Sequence, residues 1–449
     1  MTVLRDVMLL WMILVLISVG CGDDEDSGDD NGDDTESESG TEGAETQGAF
    51  ESGEYHNYFG DLGYTQEEVD EKLAAAWESL FEGDPDTHRV YFEAGENDDG
   101  PLAYIYAVDS DDIRSEGMSY GMMFAVQFDE QEVFDALWNF AKTYMWHGDP
   151  EHPHYEYFAW HVNTDGSVIS DTPAPDGEEY FAMALYFASG RWGDGEGIYD
   201  YRAAADRLVS AMKNREEITR MEERNGQQRP NTGVALFNSE HKMVRFSPSR
   251  GYFDVASDHT DPSYHLPAFY ELWALWGPEE DSDFWREAAE VSRDYFELVA
   301  HEETGLTPDY AEYDGTPVPG WDSTHDSFAY DAQRTVMNWS VDWAWWRADP
   351  RARARSDKLL AFFDSVGPSY GTLFELDGTS TNHSASPGLM AMNAVAALSA
   401  TDTALADSFV GTLWRIAVPN GDYRYYTGML YMFAMLHVSG QFKIYDPTA

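Results

Sequence analysis

The sequence predicts an all-α protein built as an (α/α)6 barrel of about twelve helices. Apolar residues recur at helical spacing through most of the chain, turn-rich segments separate the helices, and strand-like runs are short, as at 90–93 and 102–107. Paired helices that alternate with long loops close into a toroid. The helices are expected at 66–81, 117–127, 132–145, 178–189, 199–213, 263–276, 283–300, 331–346, 353–363, 389–400, 408–417 and 425–436.

Residues 1–21 are expected to be a signal peptide. Arg5 precedes an apolar run over 7–17 that is short for a membrane span, and small residues follow. Cys21, the only cysteine in the 449 residues, comes next. The pattern resembles a bacterial lipoprotein signal in which Cys21 is lipidated, so we expect export and lipid anchoring to a bacterial membrane, in the periplasm or at the cell surface. Ordinary signal cleavage with an incidental Cys21 is the alternative.

Residues 22–54 are expected to be a disordered tether. They consist mainly of Asp, Glu, Ser, Gly and Thr, and so offer almost no apolar surface to offset the entropy lost on ordering. Residues 55–449 show no second linker, and we expect them to form one barrel domain, the length of which is compatible with a closed barrel.

The formal net charge of the chain is −56. Residues 22–54 hold fourteen acids and no base, which leaves −42 on the rest of the chain. Such a surface repels nucleic acid and anionic lipid, so neither is an expected partner. A neutral substrate fits this charge better, and the membrane is expected to contact the protein only through the N-terminal lipid.

Three acids stand at predicted helix starts among aromatic residues. Glu116 lies in RSEGMSYGMM, Asp176 in PAPDGEEYF and Asp331 in FAYDAQR. Hydrolysis of a glycosidic bond needs two carboxyl groups, one that protonates the leaving oxygen and one, ionised, that attacks or activates water. The three acids are therefore candidates for that chemistry, and the neighbouring aromatic rings are candidates for a sugar-binding cleft.

Each acid also has a purely structural interpretation. Glu116 fits a helix-start acid that favours the helix dipole, although the apolar residues around it favour the protonated carboxyl that a general acid requires. Asp176 fits an N-cap, with Glu179 completing a capping box.

Asp331 likewise fits an N-cap, while Arg334, one turn further on, would keep its carboxylate ionised. Asp326 in a loop and Asp342 in mid-helix are rivals for the role of base. For Asp342, a structural hydrogen bond is the favoured interpretation.

Four motifs together resemble glycoside hydrolase family 8: SEGMSYG around Glu116, APDGEEYF around Asp176, DPSYHLPAFY around Tyr264 and YDAQR around Asp331. The resemblance runs from about residue 55 to the C-terminus and is strongest to the reducing-end xylose-releasing exo-oligoxylanases. It implies an (α/α)6 barrel that hydrolyses β-1,4 links of xylo-oligosaccharides with inversion. It also implies that Glu116 is the general acid, that Asp331 is the base, and that Asp176 holds the distorted sugar.

The same resemblance implies further substrate contacts. Tyr264 would help to position the water, and Trp146, Trp160 and Arg334 would contact the sugar. The loop TNHSASPG corresponds to the loop with which exo-acting members block their cleft, although it is longer and its proline is displaced. His383 is therefore a candidate for the blocking histidine, with an ordinary surface residue as the alternative.

No metal site and no cofactor are expected. The pair His152 and His154 is interpreted as part of a loop, and residues 163–167 as a plain turn. We expect a monomer. Two alternatives to exo action remain open: an endo-acting xylanase, β-glucanase or chitosanase of the same family, and a non-catalytic surface lipoprotein that captures oligosaccharides.

Overall fold

A computed structural model describes residues 47–448, without 225, 251–258, 321–322 and 383. Predictions that concern the signal peptide, Cys21, most of the tether and His383 lie outside the described residues. Within them there are fourteen α-helices: α1 (Ala49–Ser52), α2 (Tyr58–Asp61), α3 (Gln66–Trp77), α4 (Ser115–Phe128), α5 (Gln131–Phe140), α6 (Pro175–Trp192), α7 (Tyr201–Asn214), α8 (Pro267–Trp276), α9 (Ser282–Val299), α10 (Thr335–Trp346), α11 (Arg351–Val366), α12 (Pro387–Asn393), α13 (Thr403–Arg415) and α14 (Arg424–Val438).

The helices α3 to α14 form two concentric rings of six. In the inner ring, α4 packs against α6, α8 against α10, α10 against α12, α12 against α14, and α14 against α4. An edge-to-face contact between Tyr180 and Phe269 joins α6 to α8. Each inner helix has an outer partner, in the pairs α4–α5, α6–α7, α8–α9, α10–α11, α12–α13 and α14–α3. The fold is therefore the (α/α)6 barrel that the sequence predicts, and all twelve predicted helices are confirmed.

The strands are short and form five small sheets in the loops. They are β1 (Tyr91–Asn97) with β2 (Gly100–Ile105); β3 (Ile113–Arg114), β4 (His161–Val162) and β5 (Val168–Ser170); β6 (Ile218–Arg224), β7 (Gln227–Gly233) and β10 (Ser249–Arg250); β8 (Phe237–Asn238) with β9 (Met243–Val244); and β11 (His259–Thr260) with β12 (Ala311–Glu312). All pairings are antiparallel. The two predicted strands become β1 and β2. The β6–β7 hairpin is not anticipated because most of its residues are polar and exposed, so the apolar alternation of a half-buried strand is absent.

Two helices start four residues later than predicted. The helix expected from 263 begins at Pro267, after a separate 3-10 turn over Pro262–Tyr264. The residue before a proline is disfavoured in helical conformation, and Leu266 has φ −120° and ψ 63°. The helix expected from 331 opens with a 3-10 turn over Asp331–Arg334 before α10.

The predicted end of the tether at residue 54 is wrong. The helix α1 lies inside that range, Ala49 is buried, and Phe50 stacks on Trp346 with ring centroids 4.4 Å apart. Gly48 sits so close to Trp345 that a β-carbon would overlap its carbonyl oxygen. Ala49 and Phe50 are apolar residues at the end of the acidic segment, and they pack against the barrel. In the described part of the chain, no helix is both long and apolar enough to cross a membrane.

Candidate active site

The three candidate acids lie at the amino-terminal ends of inner-ring helices. Glu116 is the second residue of α4, Asp176 is the second residue of α6, and Asp331 opens the 3-10 turn before α10. Arg334 closes that turn and is buried, so its guanidinium group lies among all three carboxyl groups. The barrel thus brings together three acids that are 60 to 215 positions apart in the chain.

Arg334 contacts five oxygens. Its Nη1 lies 2.8 Å from Glu116 Oε2, from Asp176 Oδ2 and from Tyr120 Oη, so two hydrogens are shared among three acceptors. Its Nη2 donates to Asp331 Oδ1 at 2.9 Å, and to a fifth oxygen, Oγ of a serine in the Pro262–Tyr264 turn, at 3.1 Å. The prediction that Arg334 stands beside Asp331 is confirmed, and the guanidinium also bridges to the other two acids.

The carboxyl groups differ in their access to solvent. The side chain of Asp176 is 6% exposed, that of Glu116 is 15% exposed and that of Asp331 is 27% exposed, against 3% for Arg334. Glu116 and Asp331 can therefore be reached from the mouth of the barrel, while Asp176 lies beneath them.

The two accessible acids occupy opposite ends of one guanidinium group. Because Nη1 holds Glu116 Oε2 and Nη2 holds Asp331 Oδ1, these two oxygens lie at most about 8 Å apart, a bound that admits the roughly 6.5–9.5 Å spacing of an inverting enzyme as well as the roughly 5 Å spacing of a retaining one.

Burial raises the pKa of Asp176 to about 7, and the nearby Glu116 adds to this shift while Arg334 opposes it. A carboxyl group with this pKa exchanges its proton near neutrality, so it can donate to or accept from a sugar hydroxyl. Asp176 Oδ1 also accepts from the backbone N–H of Gly177 at 2.9 Å.

The capping interpretation of Asp176 is wrong. The N-cap of α6 is Ala174, which provides no side-chain cap, and Pro175 occupies the first helical position. Asp176 lies one residue inside the helix, with its side chain on Arg334. Glu179 forms no capping box, because its carboxyl group points to Tyr270 in α8.

Tyr425 is a site residue that the sequence did not reveal. Its hydroxyl donates to Glu116 Oε1 at 2.8 Å, so both carboxyl oxygens of Glu116 are held. A β-carbon on Gly117 would lie 2.7 Å from the Tyr425 ring, which explains why a glycine follows Glu116. Tyr425 is 309 positions away in α14, and only the closure of the barrel brings it to the site.

Asp309 and Asp261 are two further buried carboxyl groups near Asp331. Asp309 Oδ1 accepts from the backbone N–H groups of Ala329 and Ala332, at 3.2 and 2.9 Å, and its Oδ2 lies 3.1 Å from His325 Nδ1. Burial raises the pKa of Asp309 to about 6, and that of Asp261 well above its usual range. Asp309 therefore holds the backbone on both sides of Asp331. Its sequence context resembles an ordinary loop.

The three aromatic residues that are predicted to contact the substrate lie at different distances from the cluster of acids. Tyr264 lies 5.8 Å below the Arg334 guanidinium group, within the cluster. The carbonyl of Trp160 accepts from the N–H of Ser115, and its ring lies 5.9 Å from the guanidinium group of Arg114, the residue before α4. Trp146 packs on Lys142, with the ammonium 3.0 Å from its ring centroid, and in the described residues it has no hydrogen bond or ring contact with the cluster.

The loop that contains His383 is anchored on both flanks. Asn382 Oδ1 accepts from the N–H groups of Thr372 and Leu373, at 2.8 and 3.1 Å, and Ser386 caps α12. Since α12 packs against the Asp331–Arg334 turn, the loop enters the barrel at the end that holds the acids.

The rival acids have other roles. Asp342 forms a bidentate ion pair with Arg293, at 2.7 and 2.9 Å, which confirms the interpretation that its hydrogen bonds are structural. Asp326 is exposed in a loop. Among the described residues, no group of three or more His, Cys, Asp or Glu side chains is arranged to hold a metal ion.

A two-ring helical barrel with paired, accessible carboxyl groups at its mouth is the architecture of a glycoside hydrolase. The family model described as glycosyl hydrolases family 8 matches residues 107–440. The reducing-end xylose-releasing exo-oligoxylanase Rex8A of Paenibacillus barcinonensis is 42% identical over 404 residues, which cover 89% of this chain and 99% of that protein. The corresponding enzyme of Halalkalibacterium halodurans is 40% identical over 90% of this chain and 97% of its own length. The chain belongs to glycoside hydrolase family 8.

Solved structures agree with this assignment. A family 8 xylobiose complex from Teredinibacter turnerae is 49% identical, has a TM-score of 0.85, and is matched over 89% of this chain and all of that one. A xylohexaose complex of a catalytic mutant of a xylanase from the same organism gives the same values. The predicted family, fold class and enzyme class are confirmed.

Proposed function

We propose that the protein hydrolyses β-1,4-xylosidic bonds with inversion and releases xylose from the reducing end of xylo-oligosaccharides. The observation that carries the proposal is the shared guanidinium group of Arg334, which holds Glu116 and Asp331 at its two ends. The relatives described as exo-oligoxylanases, 38–42% identical over most of the chain, support the substrate class.

In the proposed reaction, Glu116 gives its proton to the glycosidic oxygen as the bond to the anomeric carbon breaks. Asp331 takes a proton from a water molecule, whose oxygen bonds to the anomeric carbon from the opposite face. One water is consumed, and solvent returns the two carboxyl groups to their starting protonation. The product inherits the inverted configuration because the water and the leaving group occupy opposite faces.

The neighbouring residues would prepare this geometry. Arg334 fixes both carboxyl groups before substrate arrives, so little reorganisation is needed in the transition state. Asp176 would bond a hydroxyl of the distorted sugar, while Tyr264 would help to place the water. Trp160, whose ring lies by Arg114 just before α4, is the candidate to stack on a sugar ring, and Trp146 is the candidate for a more distant ring.

An endo-acting xylanase is the second candidate. The Teredinibacter turnerae structures, one of them a xylanase with xylohexaose, are 49% identical to this chain, which exceeds the 42% of the exo-acting relative Rex8A. The two modes differ in whether the cleft continues beyond the cleavage point, and the loop around His383 is the candidate for a block.

Xylohexaose with an isotope label at the anomeric carbon of its reducing end separates the two modes. Exo action from that end releases labelled xylose and unlabelled xylopentaose first. Endo action gives labelled xylobiose or xylotriose, and this result would refute the exo proposal. Removal of the block by His383→Ala should move the products of an exo enzyme toward the endo pattern, with Ser384→Ala as the matched control.

We also propose that the enzyme is exported and anchored through a lipid on Cys21. The charged start, apolar run and small residues before Cys21 support this, and the acidic segment after it would hold the barrel away from the membrane. Incorporation of a palmitate analogue that is lost in Cys21→Ser would support the anchor, and equal labelling of both proteins would refute it. We propose a monomer, because one chain supplies every candidate residue of the site.

A further inference from the structure

Three buried groups form a hydrogen-bonded chain: the carboxyl group of Glu179, the hydroxyl of Tyr270 and the backbone carbonyl of Tyr264. Glu179 in α6 and Tyr270 in α8 meet with Glu179 Oε1 2.6 Å from the Tyr270 hydroxyl. The same hydroxyl lies 3.2 Å from the backbone carbonyl oxygen of Tyr264. Glu179 and Tyr270 are wholly buried, and Tyr264 is nearly so.

The number of hydrogens decides how these groups are bonded. A phenol hydroxyl carries one hydrogen, and a carbonyl oxygen can only accept. If Tyr270 donates to the Tyr264 carbonyl, its oxygen is left to accept from Glu179, which must then carry a proton. If Glu179 were ionised, it would take the only hydrogen of Tyr270, and the Tyr264 carbonyl would lose this donor.

The surroundings of Glu179 favour the protonated form. Its Oε2 is buried and has no hydrogen-bond partner among the described residues. Burial is the largest cause that raises the pKa of Glu179 well above its usual range, and the nearby acids Asp176, Glu178 and Asp261 raise it further. An ionised Glu179 would be a buried charge that has, among the described residues, one hydrogen bond and no cation against it, which is costly.

We infer that Glu179 is a neutral carboxylic acid that donates its proton to Tyr270, so that Tyr270 donates to the backbone of Tyr264. Glu179 is then a positioning residue for the Pro262–Tyr264 turn. This turn also offers Ser263 Oγ to Arg334 and its carbonyl to Asn338, at 3.1 and 2.7 Å. The consequence for turnover rests on the proposed function, whereas the protonation state does not.

Infrared difference spectroscopy tests the proton directly. We expect the spectrum of the native protein minus that of Glu179→Gln, at neutral pH, to show the carbonyl band of a protonated carboxylic acid. Glu178→Gln serves as the matched control. Glu178 is the neighbouring buried acid, so the difference spectrum of this variant shows which carbonyl band belongs to Glu178 and which to Glu179. Carboxylate bands in place of the carboxylic acid band would overturn the inference, whether or not the protein hydrolyses xylo-oligosaccharides.

Kinetics of three variants test the positioning role. The amide of Glu179→Gln can donate to Tyr270 as the acid does, so kcat should stay within about threefold of the native value. Glu179→Met has similar size and no donor, and Tyr270→Phe removes the relay, so we expect kcat to fall by roughly 10- to 100-fold in both, with KM little changed.

A purely structural role would make Glu179→Gln and Glu179→Met equally active once both are shown by circular dichroism to be folded. That outcome, or full activity in Tyr270→Phe, would contradict the positioning role. Absence of xylo-oligosaccharide hydrolysis by the native protein would instead refute the proposed function and leave the infrared result standing.

Discussion

Among the described residues, Arg334 is the cation that contacts all three acids. Two or more ionised carboxylates around one guanidinium leave an excess of negative charge in a partly buried site, and the proton that Asp176 takes up near neutrality reduces it. Removal of Arg334 would take away the cation that the three acids share, so its role in stability and its role in catalysis are linked.

Substitution of the two accessible acids tests their roles. Glu116→Gln and Asp331→Asn preserve shape and an oxygen for Arg334 but remove the proton donor and the base, so each should lower kcat by about 10²–10⁴-fold. Steady-state assays with xylo-oligosaccharides measure this loss. Asp326→Asn, an exposed acid five residues before Asp331, is the matched control and should retain full activity. Near-native turnover in either site variant would remove that residue from the mechanism.

The hydroxyl of Tyr425 can be removed without loss of its ring. Tyr425→Phe loses the bond to Glu116 Oε1, which should lower kcat by roughly 10-fold and change the pH profile of kcat. Tyr423→Phe, on an exposed tyrosine two residues earlier, should leave the profile unchanged. A pH profile of Tyr425→Phe identical to that of the native enzyme would show that this bond has no catalytic consequence.

The 3-10 turn over Asp331–Arg334 positions both the proposed base, Asp331, and the cation that pairs with it, Arg334. Its backbone is held from outside by Asp309, 22 residues earlier in the chain. A single 3-10 turn does not fix Asp331 by itself, because the N–H groups of the turn need partners that the local sequence does not supply.

Loss of Asp309 should loosen that turn. Asp309→Ala leaves two buried N–H groups unsatisfied, so the free energy of unfolding should fall by about 1–3 kcal/mol per lost partner, and kcat should fall with it. Urea denaturation and kinetics measure the two effects. Asp309→Asn keeps an acceptor oxygen and should be milder. Equal stability of Asp309→Ala and the native protein would contradict the role.

The predictability of each element follows from the range of its interactions. The twelve barrel helices can be predicted because apolar spacing is a local property, and Glu116, Asp176 and Asp331 can be predicted because their motifs match a family. Tyr425 and Asp309 cannot be identified from the sequence, because their partners are distant in the chain and no local pattern marks them. Glu179 resembled a capping residue in sequence, and only the approach of α8 gave it a different partner.

At the scale of the whole molecule, buried acids should make stability depend on pH. Burial raises the pKa of Asp176 to about 7 and of Glu178 to about 8, above their ordinary values of 3.8 and 4.5. At these two groups the folded state therefore binds more protons than the unfolded state between about pH 4 and 8, and the stabilisation that they contribute at low pH is lost as the pH rises through that window.

Thermal midpoints test this dependence. We expect the midpoint to fall from pH 5 to pH 8 in enough salt to screen the acidic surface, and to fall less in Glu178→Gln, which has no carboxyl to deprotonate. Glu290→Gln, on an exposed acid of α9, is the control and should follow the native curve. A midpoint that rises over this range in the native protein would contradict the burial of protonated acids.

Inversion requires water to attack the anomeric carbon from the side of Asp331 while Glu116 protonates the glycosidic oxygen on the opposite side. Proton NMR of the first products from xylohexaose tests this most directly, because the β-linked substrate reports the configuration of each new reducing end. We expect the α-anomer to appear first and the β-anomer only after mutarotation. A β-anomer that appears first would contradict inversion and the assignment of Asp331 as the base.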